Sequence, residues 1–159
     1  MIQRIQSIYL LLAAVTTALM ALFSFAIVEV GTDRYILDLF GIHYNLNEKQ
    51  VELIGFWYLA VVVLTSCVLS IATVFIYKNR KLQLTLCKFN LLLYLGVIIT
   101  VFYSGEKVLE FLEINLGLEG ELHYKLGAIL PIVSVILVLL ASRAIKKDDE
   151  LVRSADRIR

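Results

Sequence analysis

Four long apolar stretches alternate with polar segments along the 159 residues. They predict membrane spans at about 8–28, 53–77, 83–103 and 126–145, because a helix of about 20 apolar residues crosses a hydrocarbon core of about 30 Å. The first stretch exceeds the apolar region of about 7–15 residues that a secretory signal carries, so we interpret it as an uncleaved span. The pattern therefore predicts a single domain, an all-α four-helix transmembrane bundle.

Two of the polar segments are acidic and lie on the same side of the predicted spans. Residues 29–52 and 104–125 each hold five acids and two bases. Within the first, Tyr35, Leu37 and Leu39 recur at period two in a run rich in β-formers, which is typical of a strand. A small β element in this loop is the prediction, and an irregular loop held by aromatic side chains is the alternative.

The basic residues lie on the opposite side. Residues 1–7 hold one Lys or Arg, residues 78–88 hold four and residues 143–159 hold six, which is eleven of the fifteen in the chain. Lys and Arg resist translocation and stay on the cytoplasmic side of a membrane. The distribution predicts a multi-pass membrane protein with both termini in the cytoplasm and the two acidic loops on the opposite side of the membrane.

The cytoplasmic tail, residues 146–159, has apolar residues at helical spacing and predicts an amphipathic helix that continues the last span. Its cations, with those of the 78–88 loop, contact anionic lipid headgroups in one interpretation and dock a cytoplasmic partner in another. The candidate docking residues are Lys78, Arg80, Lys81, Lys88, Arg143, Lys146, Lys147, Arg153 and Arg157.

The middle of each predicted span lacks Asp, Glu, His, Lys and Arg. Intramembrane ionisable residues mark proton relays and ion paths, so the pattern argues against a proton-coupled transporter. Small polar side chains remain, and they commonly hydrogen-bond between membrane helices. The candidates for such contacts are Thr65, Ser66, Ser70 and Asn90.

The sequence carries no motif for catalysis or cofactor binding. Cys67 and Cys87 stand singly, without the paired spacing of a thiol oxidoreductase. His43 and His123 lie in the acidic loops, where we interpret them as exposed or locally bonded residues rather than as half of a metal site. Cations interleaved with acids, without an aromatic stacking face, argue against nucleic-acid binding. We therefore predict no enzyme activity, cofactor or metal.

Three stretches of the chain are distinctive in combination. They are MIQRIQSIYL at 1–10, YKNRKLQL at 77–84, and RAIKK at 143–147 with the tail that follows. Together they resemble an uncharacterised bacterial inner-membrane family, domain-of-unknown-function family 4293, over the whole chain. The resemblance implies a four-span, multi-pass protein of the bacterial inner membrane, with the acidic loops in the periplasm and without an assigned activity, and it supplies no catalytic residues.

Three functions are compatible with these features. The leading hypothesis is a non-catalytic accessory or scaffolding subunit whose partners are membrane lipids and another inner-membrane protein or complex. The second is a small oligomeric channel or transporter, and the third is an envelope sensor that uses the acidic loops. The channel requires a polar path built from Thr65, Ser66, Thr73, Asn90, Thr100 and Ser134.

Overall fold

The computed structural model describes residues 3–31, 33–46, 49–55, 57–77, 79–117 and 120–156. Helices and strands follow in the order α1 (Gln3–Leu19), β1 (Ala26–Val30), β2 (Asp33–Leu37), β3 (Gly41–Leu46), β4 (Lys49–Gly55), α2 (Trp57–Phe75), α3 (Arg80–Leu116), β5 (Glu121–Tyr124) and α4 (Leu126–Asp156). The chain is therefore mostly helical, with a small antiparallel sheet.

The four helices form a ring in which each helix packs against two neighbours. α1 lies between α2 and α4, and α3 contacts the same two helices on the other side. Among the described residues, three helices are long and apolar enough to span a membrane: Trp57–Phe75, Arg80–Ile114 and Leu126–Val152. α1 contributes a shorter apolar helix, Ile5–Leu19.

The five strands form one sheet in the order β4-β3-β2-β1-β5. β1 links the strands of the first loop to the strand of the second loop. Its Val28 lies opposite Tyr35 of β2 on one side and opposite Leu122 of β5 on the other. One sheet thus joins both connections at the same end of the bundle. We call this the sheet end, and the opposite end, where α2 turns into α3, the turn end.

The sheet packs against the last turns of helix α3. The 37 residues of α3 span about 55 Å at 1.5 Å per residue, so its last turns extend beyond the bundle. There Val108 and Leu112 pack in one core cluster with residues on the buried face of β1, β2 and β3: Ala26, Val28, Tyr35, Leu37 and Ile42. The helix ends at Gly117, whose φ of 63° is the left-handed conformation that favours glycine.

The start of α4 lies against the turn that follows α1. The Gly127 N–H donates a hydrogen bond to the Ser24 carbonyl at 3.2 Å, and a Cβ atom at Gly127 would overlap that carbonyl. Only glycine allows this approach. Pro131 lies one turn further on, inside α4, where it removes one helical N–H donor.

The helix bounds correct the predicted spans at the sheet end. The first span was predicted to reach residue 28, but α1 ends at Leu19 and residues 26–28 belong to β1. Residues 53–55 belong to β4 and not to the second span. The third helix runs 13 residues past the predicted limit of 103, to Leu116. An apolar run rich in Val and Ile suits a strand as well as a buried helix, which explains the error in the first span.

Two predicted elements agree with the structure. The first acidic loop contains the predicted β structure, which comprises β2, β3 and parts of β1 and β4. The tail helix is continuous with the last long helix, which includes 126–145 and runs on to Asp156. Residues 157–159 of the predicted tail lie outside the described residues.

Candidate functional site

A group of hydrogen-bonded hydroxyls joins all four helices inside the bundle. The Tyr94 hydroxyl of α3 lies 2.5 Å from Thr17 Oγ1 of α1 and 3.2 Å from Ser70 Oγ of α2. On α4, Ser134 Oγ lies 2.7 Å from Thr16 Oγ1. Tyr94, Thr17, Ser70 and Ser134 are fully buried. These hydroxyls therefore bond to one another in place of water, and we call them the hydroxyl network.

Asn90 extends the hydroxyl network along α3. Its Nδ2 donates to Ser70 Oγ at 2.6 Å, which is a contact between α2 and α3. Ser66 and Thr65, the other two candidates for interhelical contacts, donate within α2 to the carbonyls of Val62 and Val61. Ser66 is buried and Thr65 is exposed. Of the four residues predicted to make interhelical polar contacts, Ser70 and Asn90 therefore form one with each other.

The residues considered for a solute path are engaged locally. Five hydroxyls donate to the carbonyl four residues earlier in their own helix: Thr65, Ser66, Thr73, Thr100 and Ser134. Such bonds turn a hydroxyl toward its own backbone. The sixth residue, Asn90, bonds to Ser70. These side chains therefore present their donors to protein acceptors rather than to a shared channel.

At the turn end, an ion pair ties the start of α3 to α4. Arg80 Nη2 lies 3.1 Å from Asp148 Oδ2, and Arg80 Nη1 donates to the Asp148 carbonyl oxygen at 3.0 Å. The two side chains are only 19% and 12% exposed. One turn along α3, the buried Gln83 donates through Nε2 to the Thr73 carbonyl at 3.1 Å. Charged and polar side chains thus join α3 to both of its neighbours.

The outward side of the sheet holds both histidines. His43 aligns with Ile36, Ile36 with Ile27, and Ile27 with His123, so two strands separate the histidines. His43 Nε2 pairs with Asp38 Oδ2 at 3.1 Å. The described residues contain no group of three or more His, Cys, Asp or Glu side chains suited to a metal ion.

Tyrosines pack on the inward side of the sheet. Tyr35 and Tyr44 stack with their ring centroids 4.9 Å apart. Burial, and then the nearby Asp33 carboxylate, raise the pKa of Tyr35 above its usual value. Burial also raises the pKa of Tyr124, with a further contribution from Glu106. Folding therefore favours the neutral phenols in this layer.

The comparisons with known proteins place the whole sequence in one family. The family model described as Domain of unknown function (DUF4293) matches residues 2–158. The chain belongs to this family. A comparison with curated proteins finds no match. Family membership supplies no reaction, so the surfaces of this DUF4293 chain carry the remaining functional information.

The candidate docking cations of the DUF4293 chain fall into two groups. Arg80 is held by Asp148 inside the protein. Five others have exposed side chains: Lys81, Lys88, Arg143, Lys146 and Lys147. Arg153 lies within α4, whereas Lys78 and Arg157 lie outside the described residues. Docking by these residues stays a prediction, and the guanidinium of Arg80 has an internal role.

Sequence reasoning missed Asp148, Thr17 and Tyr94 as members of polar clusters. Asp148 lies in a run of charged residues that reads as a solvated tail, and its partner is 68 positions away. Tyr94 follows Asn90 by one helical turn, so the same face of α3 carries both. That spacing is the signal that places the Tyr94 hydroxyl beside Ser70.

Proposed function

We propose that this DUF4293 protein is a non-catalytic accessory or scaffolding subunit of a larger complex in the bacterial inner membrane. Its four helices cross the membrane with both termini in the cytoplasm and the sheet in the periplasm. The uneven placement of Lys and Arg supports this orientation, because residues 1–7, 78–88 and 143–159 together carry eleven of the fifteen. α1, at 17 residues or about 25 Å, spans with local thinning of the bilayer.

The part of α4 that continues past the bundle is the surface through which we expect the protein to dock. α4 has 31 residues, or about 46 Å, of which about 30 Å crosses a bilayer. The remaining turns project into the cytoplasm as an unbroken helix, and the Arg80–Asp148 pair holds their base against α3. The tail is therefore a rigid extension of the bundle.

The projecting turns expose apolar side chains. Leu151 is 47% exposed and Val152 is 43% exposed. An amphipathic helix that binds lipid lies in the plane of the interface with its apolar face in the headgroup region. A helix that continues the axis of α4 is directed away from the bilayer. Leu151 and Val152 are therefore better suited to a protein surface than to lipid.

The interior of the bundle supports a structural role. The hydroxyl network connects helices through mutual hydrogen bonds, and Arg80 forms an ion pair with Asp148. A channel or transporter requires polar groups that are available to a solute. The hydroxyls of the hydroxyl network and the Asn90 amide nitrogen have protein partners, which favours the accessory role over the channel.

The test is blue native electrophoresis of membranes solubilised in a mild detergent. We expect the wild-type chain to migrate within a complex larger than the free chain. The double variant Leu151→Asp and Val152→Asp should release the free chain, because charged side chains cannot be buried in an apolar contact without a large cost.

A second double variant serves as the matched control. Lys146→Gln and Lys147→Gln remove two exposed cations from the same helix and leave its apolar residues intact. This control should keep more of the complex than the aspartate variant does, because we expect the predicted docking cations to add to an apolar contact that they do not make alone. Attraction to anionic headgroups would make the control the more damaging change. A wild-type chain that migrates alone, or a complex unaffected by the aspartates, would contradict the proposal.

A further inference from the structure

An apolar groove lies between the end of α1 and the beginning of α2, below the connection from β2 to β3. Its volume is about 360 Å³. Helix α1 contributes Thr17 and Ala18, α2 contributes Ala60, Val63 and Leu64, and Phe40 of the strand connection covers the sheet end. The groove is open at its side, where Leu64 is 66% exposed and Phe40 is 56% exposed.

The groove follows from the unequal lengths of neighbouring elements. α1 ends at Leu19 and the chain turns toward the sheet, so α2 lacks a full helical neighbour near its start. Alanines at Ala18, Ala21 and Ala60 line the remaining space and are too small to fill it. The result is a gap on the surface of two helices whose other outward side chains are exposed and apolar.

We propose that this groove binds an acyl chain of a phospholipid from the leaflet on the sheet side of the membrane. The inference rests on the proposed membrane embedding and not on docking by the tail. Within that setting the groove opens sideways into hydrocarbon, and its lining from α1 and α2 is almost entirely apolar. Water has few polar partners there, and apolar cavities stay dry and take up apolar ligands.

The size of the groove fits part of one chain. A dry cavity of about 150 Å³ binds benzene, with its six carbons, so a volume of about 360 Å³ accommodates on the order of a dozen carbon atoms. Lipid tails are as apolar as the groove itself. Retention therefore comes from the larger number of close contacts that a chain makes in the groove compared with fluid hydrocarbon.

The covered end of the groove favours an acyl chain over a transmembrane helix as its occupant. Leu39 and Phe40 lie over the groove at the sheet end, while Ala60 and Cys67 lie only seven residues apart along α2, or about 10 Å. A transmembrane helix of a second copy crosses the full thickness and would meet this cover. A flexible chain enters from the side and ends within the leaflet.

The experiment titrates palmitoyl-oleoyl phosphatidylglycerol into delipidated protein in detergent and counts bound lipid by native mass spectrometry. Wild-type protein should retain one lipid more tightly than the rest. Ala18→Phe should weaken that binding about tenfold, which is 1.4 kcal/mol, because the ring occupies the groove. Dihexanoyl phosphatidylglycerol has the same headgroup and short chains, and it should not compete.

Gly96→Phe is the matched control, because a Cβ atom at Gly96 of α3 would meet nothing within 4 Å. It adds the same bulk outside the groove and should bind lipid as the wild type does. If Ala18→Phe does not fold, Phe40→Ala replaces it, since opening the cover should also weaken binding.

Equal binding by the groove variant and the wild type would overturn the proposal, as would equal losses in the groove variant and Gly96→Phe. A dimer that added lipid does not dissociate would assign the groove to a second copy and overturn it too. Failure of tail docking is separable, because Leu151→Asp with Val152→Asp should leave lipid binding unchanged and Ala18→Phe should leave the native complex intact.

Discussion

Replacing Arg80 by Met should destabilise the folded protein. The substitution keeps an unbranched side chain and removes the guanidinium, which contacts both the carboxylate and the carbonyl oxygen of Asp148 at 3.1 and 3.0 Å. The Asp148 side chain is only 12% exposed, so its carboxylate would be left without a cation and with little water. The α3–α4 contact at the turn end would then hold a charge that folding does not compensate.

The expected loss follows from these two contacts. A hydrogen bond to a charged group contributes roughly 1.5–3 kcal/mol, and removing one partner of a fully buried ion pair costs about 3–5 kcal/mol. Partial exposure of Arg80 and Asp148 lets water stabilise the remaining carboxylate, so we expect a loss of about 2–3 kcal/mol in the free energy of unfolding. For a chain of this length that lowers Tm by about 4–12 °C.

The assay uses a natural reporter. Cys87 is fully buried, so a fluorogenic maleimide reacts with it only when the bundle opens, and a Cys67→Ala background leaves Cys87 as the single thiol. Lys81→Met is the matched control, because it removes an exposed cation from the next position and should change stability by less than about 0.5 kcal/mol. Adding Asp148→Leu to Arg80→Met should restore most of the loss, since the orphaned charge is gone.

Equal Tm values for Arg80→Met and Lys81→Met would refute this reasoning. A variant that keeps its Tm but dissociates the native complex would instead make Arg80 a docking residue, as the sequence alone indicated. The comparison therefore decides between an internal and an external role for this one cation.

Two further predictions concern stability: the first uses the same thermal assay, and the second uses loss of helical circular dichroism on heating, because maleimides hydrolyse at high pH. Gly127→Ala should lower the free energy of unfolding by about 1–3 kcal/mol, because its Cβ atom would overlap the Ser24 carbonyl. The control Gly96→Ala should be neutral or stabilise by up to about 1 kcal/mol. Equal effects of the two substitutions would contradict the close approach. Because folding raises the pKa of Tyr35, the contribution of its neutral phenol to stability should be fully present below a pH of about 10 and be lost as the pH rises above it. Tyr35→Phe should reduce that loss, and an unchanged profile would exclude this source.

The helices were predictable because apolar runs of the right length dominate the sequence. The helix ends at the sheet were not predictable, because the first three residues of β1, 26–28, are as apolar as the helix before them and a strand there needs partners from two loops. Val28 pairs with Tyr35 and with Leu122, and the second of these lies almost a hundred residues away. The residues near β1 in the sequence do not indicate that it pairs with β5.

The long extension of α3 shows the same limit. Val108, Leu109 and Leu112 have helical spacing, but Gly105 beforehand reads as a break. In the fold, Gly105 lies close to β5, where an added Cβ would lie 3.1 Å from a Leu122 side-chain carbon and from the Tyr124 hydroxyl. The glycine serves packing between helix and sheet, and the helix continues through it.

The buried polar groups of the bundle have a physical explanation that requires no reaction. Lipid tails are as apolar as leucine, so apolar side chains alone do little to fix how membrane helices are aligned along one another. Directional hydrogen bonds do so, and the Tyr94 hydroxyl aligns α3 with α1 and α2 at once, while Arg80 aligns α3 with α4. With these interior groups engaged in alignment, the tail of α4 and the groove beside α1 are the described surfaces to which we assign the proposed contacts with a partner and with lipid.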